Sequence, residues 1–165
     1  MKVIGLIGEP AAGKSTVMRK LLERFGPSNV IKEGLVVHTV YPEDKVVVAG
    51  IYDEQVFSGT DRMSKACGPK VREWLTEANA NPDYDGWTYY WEGERYSNSK
   101  FFDFFFNECP DVTVYFLRAD EKTLNERNNA RSQQNDSWRK GMRTRMSNLR
   151  NGYPVKIVEQ GFELP

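Results

Sequence analysis

Apolar and polar positions along the chain alternate between two periods. Residues Lys2 to Ile7 form a short apolar run, the mark of a buried parallel strand. Gly8 to Gly13 break it. From Lys14 to Phe25 the apolar residues Val17, Met18, Leu21, Leu22 and Phe25 fall at helical spacing, and Gly26-Pro27 closes the helix. Two β-branched runs follow, Leu35 to Val40 and Lys45 to Ile51, joined by Tyr41-Pro42-Glu43-Asp44; they predict a hairpin or a pair of neighbouring strands. Asp53 to Arg62 reads as loop. Met63 to Ala80 predicts a helix broken or delayed near Gly68-Pro69, and Asn81 to Gly86 a turn-rich connection.

Further along, Thr88 to Trp91 predicts a short aromatic strand running into Glu92-Gly93-Glu94-Arg95. Asn98 to Glu108 carries Phe101, Phe102, Phe105 and Phe106 in one helical stripe. Val112 to Leu117 reads as a buried strand, Glu121 to Arg131 as a helix, Ser132 to Asp136 as a loop, Ser137 to Asn151 as an arginine-rich helix and Val155 to Val158 as a last strand. This alternation predicts an α/β three-layer sandwich around a mainly parallel sheet. In such sheets ligands bind beyond the carboxyl ends of the strands. Gly8 to Ser15, Glu92 to Arg95 and Arg118 all fall at such ends.

Composition narrows the picture little. The 165 residues, 28% of them charged and 39% hydrophobic, suit one domain over 1–165. Net charge is zero, which excludes a uniformly basic nucleic-acid binder but not a local basic patch. Cys67 and Cys109 form no metal-ligand pattern and read as reduced thiols. The N-terminal apolar run is too short for a signal peptide or a membrane span, so a cytoplasmic protein without a membrane partner is expected.

The most specific chemistry lies after the first strand. Gly8 to Thr16 reads GEPAAGKST and satisfies G-x-x-x-x-G-K-[ST] through Gly8, Gly13, Lys14 and Ser15. Backbone N–H groups of such a loop and of the following helix point at an anion. Ala11, Ala12, Gly13 and Thr16 join the cradle. Lys14 is expected to reach the β- and γ-phosphates of ATP and Ser15 to bind Mg²⁺. Adenylate-kinase-like loops usually carry a further glycine where this chain has Ala11.

Phosphoryl transfer also needs a group that positions an acceptor and takes its proton. Two places qualify. In Gly59-Thr60-Asp61-Arg62 the carboxylate is a candidate base and the guanidinium a candidate phosphate clamp; the alternative is a helix cap and a surface ion pair. In Glu92-Gly93-Glu94-Arg95 one carboxylate is expected beside the metal, as a Walker B acid, with Glu92 the favoured ligand. Which of Glu92 and Glu94 points inward depends on where the strand ends. A local positive excess follows: Arg118 to Lys156 holds ten Lys/Arg against four Asp/Glu. Arg127 and Arg131 share a helix face and read as a lid over the triphosphate, the lid-like segment spanning about 127–150. Arg139, Arg143 and Arg150 can share another face, for lid duty or for contacts to nucleic-acid phosphates. The aromatics Trp87 to Trp91 and Trp138 read mostly as packing, and His38 as structural or surface.

Gly8 to Thr16, the acid at the strand end and the Arg127/Arg131 pair resemble the P-loop nucleoside and nucleotide kinases. Asp61-Arg62 is similar to the pair in polynucleotide 5′-kinases. More narrowly, Gly59-Thr60-Asp61-Arg62-Met63-Ser64 with Glu92-Gly93-Glu94-Arg95 resembles the bacteriophage 5-hydroxymethyldeoxyuridine DNA kinases. That resemblance implies transfer of the γ-phosphate of ATP to a hydroxymethyl group of a modified pyrimidine in DNA. Asp61 would then be the base, and the arginine-rich segment, Arg139 and Arg143 included, would hold DNA. A kinase of deoxynucleosides or their monophosphates is the alternative, and a P-loop regulatory ATPase is a third.

Overall fold

The N-terminal apolar run is the middle of the sheet. In the computed structural model, which describes residues 1–53, 58–130 and 136–165, β1 (Lys2–Ile7) pairs in parallel with β5 (Thr88–Glu92) on one side and β6 (Asp111–Leu117) on the other. The remaining strands are β2 (Asn29–Glu33), β3 (Val36–Tyr41), β4 (Val46–Ala49) and β7 (Lys156–Val158). Among the described residues they make one seven-stranded sheet in the order β2-β3-β4-β5-β1-β6-β7. β4, β5, β1, β6 and β7 are parallel, whereas β2 and β3 run as an antiparallel pair at one edge. The expected α/β sandwich with a mainly parallel sheet is the fold observed.

Both faces of β1 are buried, as its uninterrupted apolar sequence requires. Ile4 and Leu6 face α1 (Lys14–Leu22), packing with Met18 and Leu21, and with Leu124 of α4 (Glu121–Ala130). Val3 and Ile7 face the other layer, shared by α2 (Gly68–Ala80), α3 (Ser99–Glu108) and α5 (Asp136–Gly152). Trp91 fills this second layer, stacked on Phe105 with ring centres 5.2 Å apart. It lies so close to the backbone of β1 that a Cβ on Gly5 would stand 2.4 Å from its ring. The aromatic strand and the phenylalanine stripe are therefore core, as expected of large apolar side chains.

Several boundaries differ from expectation. The first helix ends at Leu22, and the chain folds as turns to Gly26. The second is delayed to Gly68 with proline in its first turn, as Gly68-Pro69 predicts; before it, Thr60–Arg62 is a single 3-10 turn. The strand β2 has no counterpart in the sequence reading, because all five of its residues are exposed and no periodic burial marks it. Residues 131–135, which include Arg131 and most of the expected 132–136 loop, lie outside the described residues.

Candidate active site

The phosphate loop forms where β1 stops and α1 has yet to start. Gly8 is needed at the turn: its φ is +155°, and a Cβ there would sit 2.5 Å from the Leu117 carbonyl oxygen. Gly13 caps α1 at φ +100°, and no side chain caps that helix end or places an acid in its first turn. The helix thus presents uncapped amides and the positive end of its dipole to the loop. Lys14 Nζ donates to the carbonyls of Gly8 and Glu9, each at 3.0 Å, so it lies across the cradle. Ala11 takes the left-handed φ of +66° that a glycine would adopt without strain, which accounts physically for the glycine usual at this place. Ala11 and Ala12 are buried, and Thr16 is exposed. Arg127, the first of the two lid candidates, reaches the loop and donates from Nη1 to the Ala11 carbonyl at 3.2 Å.

Strand β5 extends to Glu92, which settles which acid turns inward. Glu92 is 3% exposed, whereas Glu94, beyond Gly93, is half-buried at the rim. Ser15 Oγ donates to Glu92 Oε1 at 3.0 Å, and Tyr52 Oη donates to the same oxygen at 3.3 Å. Burial pushes the Glu92 carboxyl up to about 7; Lys14 and the two hydrogen bonds pull it down, and nearby Asp61 raises it. A buried carboxylate so short of compensating positive charge, beside a serine hydroxyl, is a pair of hard oxygen donors suited to a divalent cation. Ser15 and Glu92 are thus the two residues present that fit Mg²⁺.

Asp61 sits in the 3-10 turn facing Glu92. Its Oδ1 accepts the Glu94 N–H at 2.6 Å, which fixes the carboxylate against the end of β5. Burial raises its pKa, while the Glu94 amide, Arg95 and Lys14 oppose that rise. The junction is tight. A Cβ on Gly93 (φ +115°) would stand 2.4 Å from Thr60 Oγ1 and 3.0 Å from Asp61 Oδ1, so the side chains of the turn close on the backbone after β5 only because residue 93 is glycine. Beneath the turn runs a buried polar chain. His38 Nε2 shares a hydrogen bond with Tyr89 Oη at 3.3 Å, Tyr89 with Tyr96 Oη at 3.0 Å, and Tyr96 donates to Met63 Sδ. Burial drives the His38 pKa down to about 3, so it is a neutral structural group.

The structure therefore brings Lys14, Ser15, Glu92 and Asp61 to one end of the sheet. Arg62 is beside them but bound to Asp53, both oxygens of which accept from its Nη1 at 2.8 and 2.9 Å. Arg95 donates from Nε to the Met63 carbonyl and lies 3.9 Å from Glu94. From α5, Arg143 pairs with Glu9 of the phosphate loop at 3.0 Å. Arg139 is half-buried on the same helix, and Arg150 lies away from the site over the Phe116 ring. Arg118 pairs with Glu159. Residues absent from the sequence reading are Glu9, Arg19, Tyr52, Asp53 and Arg145, the last paired with Glu94 at 3.3 Å. Tyr52 and Asp53 follow the carboxyl end of β4, and that position was the available signal for them.

A family model described as P-loop Nucleotide Kinase3 matches residues 1–161. The chain belongs to this family. A P-loop Nucleotide Kinase3 chain is a nucleotide-binding phosphotransferase. No curated protein matches the sequence. Among solved structures, the chain is similar in fold to a gluconokinase from Sinorhizobium meliloti 1021, with 13% identity, a TM-score of 0.50, and 98% of this chain and 83% of that one covered. A deoxyadenosine kinase from M. mycoides, solved with dCMP and dCDP, aligns at 14% identity and a TM-score of 0.40, covering 99% and 91% of the two chains. Among the described residues no helix is long and apolar enough to cross a membrane.

Proposed function

We propose that this P-loop kinase transfers the γ-phosphate of ATP to a hydroxyl, and that the acceptor is the 5-hydroxymethyl group of 5-hydroxymethyluracil in DNA. The observation that carries the reading is the place of Asp61: a carboxylate fixed by the Glu94 amide, facing Glu92 and Lys14, with its basicity raised by burial. An acceptor hydroxyl set against Asp61 would lose its proton to that carboxylate as it attacks, which is general-base catalysis of an in-line transfer. Lys14 and the α1 amides hold the triphosphate, and Arg127 and Arg143 stand at the loop's rim to meet charge spreading onto the transferred group. Arg131 is proposed to join them. Ser15 and Glu92 would hold Mg²⁺, which when bound neutralises phosphate charge. The hydroxymethyluracil acceptor is favoured by the likeness of residues 59–64 and 92–95 to the DNA-base kinases.

A second reading, a deoxynucleoside or nucleotide kinase, is favoured by one observation. Arg143 and Arg145 are engaged with Glu9 and Glu94 at the mouth of the site, as lid residues would be, rather than set out as a basic face for DNA. Transfer of labelled γ-phosphate separates the two. The acceptors are duplex DNA containing 5-hydroxymethyluracil, free 5-hydroxymethyldeoxyuridine and its monophosphate. Label on DNA, falling steeply with added salt, supports the first reading; label on the small molecules alone replaces it with the second.

A further inference from the structure

The loop that leaves β4 carries two adjacent side chains that divide the site between them. Tyr52 turns to Glu92 on the donor side, and Asp53 turns to Arg62 on the acceptor side. The Asp53 contact is unusual in form. Both of its oxygens sit on a single guanidinium nitrogen, Nη1, where a fork-to-fork pair would occupy two. Arg62 therefore keeps the donors of Nε and Nη2, and its side chain is 22% exposed, within reach of a ligand. Arg19 of α1 donates from Nη2 to the Asp53 carbonyl at 3.3 Å and to Ser58 Oγ at 2.8 Å. The helix that binds the nucleotide thus sets where Asp53 stands, and Asp53 sets the plane of the Arg62 guanidinium next to Asp61.

We propose that Asp53 is a positioning residue for the acceptor: it fixes Arg62 by one nitrogen so that the remaining N–H donors take a phosphate lying beside the hydroxyl that receives phosphate. This rests on the reading of residues 59–62 as the acceptor site. It deepens that reading by requiring an anionic acceptor, a nucleotide or a phosphodiester, and by making a neutral nucleoside a poor one. A planar fork held in advance loses less freedom on binding than a free arginine, so the gain falls on acceptor affinity.

The test compares wild type, Asp53→Asn, Asp53→Glu, Arg62→Ala and the double variant Asp53→Asn/Arg62→Ala. Acceptors are a 5-hydroxymethyluracil oligonucleotide, 5-hydroxymethyldeoxyuridine monophosphate and the free nucleoside. Asp53→Asn is expected to raise KM for the phosphate-bearing acceptor about tenfold, with kcat and the KM for ATP within about twofold. Asp53→Glu should recover part of the loss, and Asp53→Asn should add nothing in the Arg62→Ala background. An equal loss on the free nucleoside, additive effects in the double variant, or a fall in kcat at constant KM would overturn the proposal. Wild type that phosphorylates none of the three acceptors overturns the proposed function instead. Asp53 is then judged by anisotropy of a fluorescein-labelled oligothymidylate with ADP: weaker binding in Asp53→Asn supports the positioning role, and wild-type affinity, or no binding by wild type, ends it.

Discussion

The phosphate-loop half of the site and its proposed acceptor half are built on different principles. The donor half is one stretch of chain, Gly8 to Thr16, whose working parts are mostly backbone: amides, carbonyls and two glycines at positive φ, with Lys14 laid across them. The proposed acceptor half is assembled from four separate places: Arg19 in α1, Asp53 after β4, Asp61 and Arg62 in a 3-10 turn, and Glu94 and Arg95 after β5. Its working parts are side chains. A backbone cradle holds a triphosphate whatever the surrounding residues, whereas a side-chain site can be changed piece by piece. The first suits the part of the reaction shared across P-loop kinases, and the second the part that selects an acceptor.

Substitutions can break this contrast, starting with the most severe. Lys14→Ala is expected to remove transfer to any acceptor, a loss of at least about 10²- to 10³-fold in turnover measured with labelled ATP. Asp61→Asn should lower turnover by about 10² to 10⁴ while the KM for ATP holds. Unchanged turnover would move the base role to Glu92 or Glu94.

Gly93→Ala tests the joint between the halves. Its Cβ would collide with Thr60 and crowd Asp61, so a stability loss of about 1 to 3 kcal/mol is expected by thermal unfolding, together with reduced turnover. At Gly13, among the described residues, the added Cβ meets the end of the Arg127 side chain alone, at 3.4 Å. The φ of +100° is left-handed there too, so Gly13→Ala should cost stability through the backbone alone and leave the acceptor turn intact.

The donor half was largely legible in the sequence because its function follows from spacing within nine residues. The acceptor half was legible only in fragments. Asp61-Arg62 and Glu94-Arg95 stood out as charges at strand or helix ends. Their partners did not, because the Asp53–Arg62 and Glu94–Arg145 pairs are made by folding and carry no fixed spacing. Glu92 could be told from Glu94 only once the last residue of β5 was known. The edge strand β2 escaped for the opposite reason: a strand exposed at every residue leaves no alternation to read.

Smaller effects sharpen the contrast. The buried chain from His38 to Met63 props the acceptor turn from below, so acid should loosen that half. His38 has a folded pKa of about 3 against an ordinary value of 6.5, so the unfolded chain binds the proton more readily. Its contribution to stability is complete above about pH 6.5 and is lost as pH falls towards 3. Glu92, raised to about 7, works in the opposite sense over the same range, so the check is the difference between two proteins: in urea unfolding across pH 7 to 4, wild type should lose more stability, or gain less, than His38→Gln. The least effect is expected at Ala11→Gly, which relieves a left-handed alanine but loosens the unfolded chain. Its net change should stay within about 1 kcal/mol in the same unfolding measurement.

The edge strand β2 has a consequence for how the protein behaves in bulk. Val30 and Ile31 are 50% and 42% exposed on a strand that has no outer neighbour among the described residues. Unpaired backbone flanked by apolar side chains is a template for stacking chain upon chain, and natural edges blunt it with charge. Here that duty falls to Lys32 and Glu33. Replacing both with valine is expected to promote association through this edge, read as turbidity, while the fold of the single molecule stays intact.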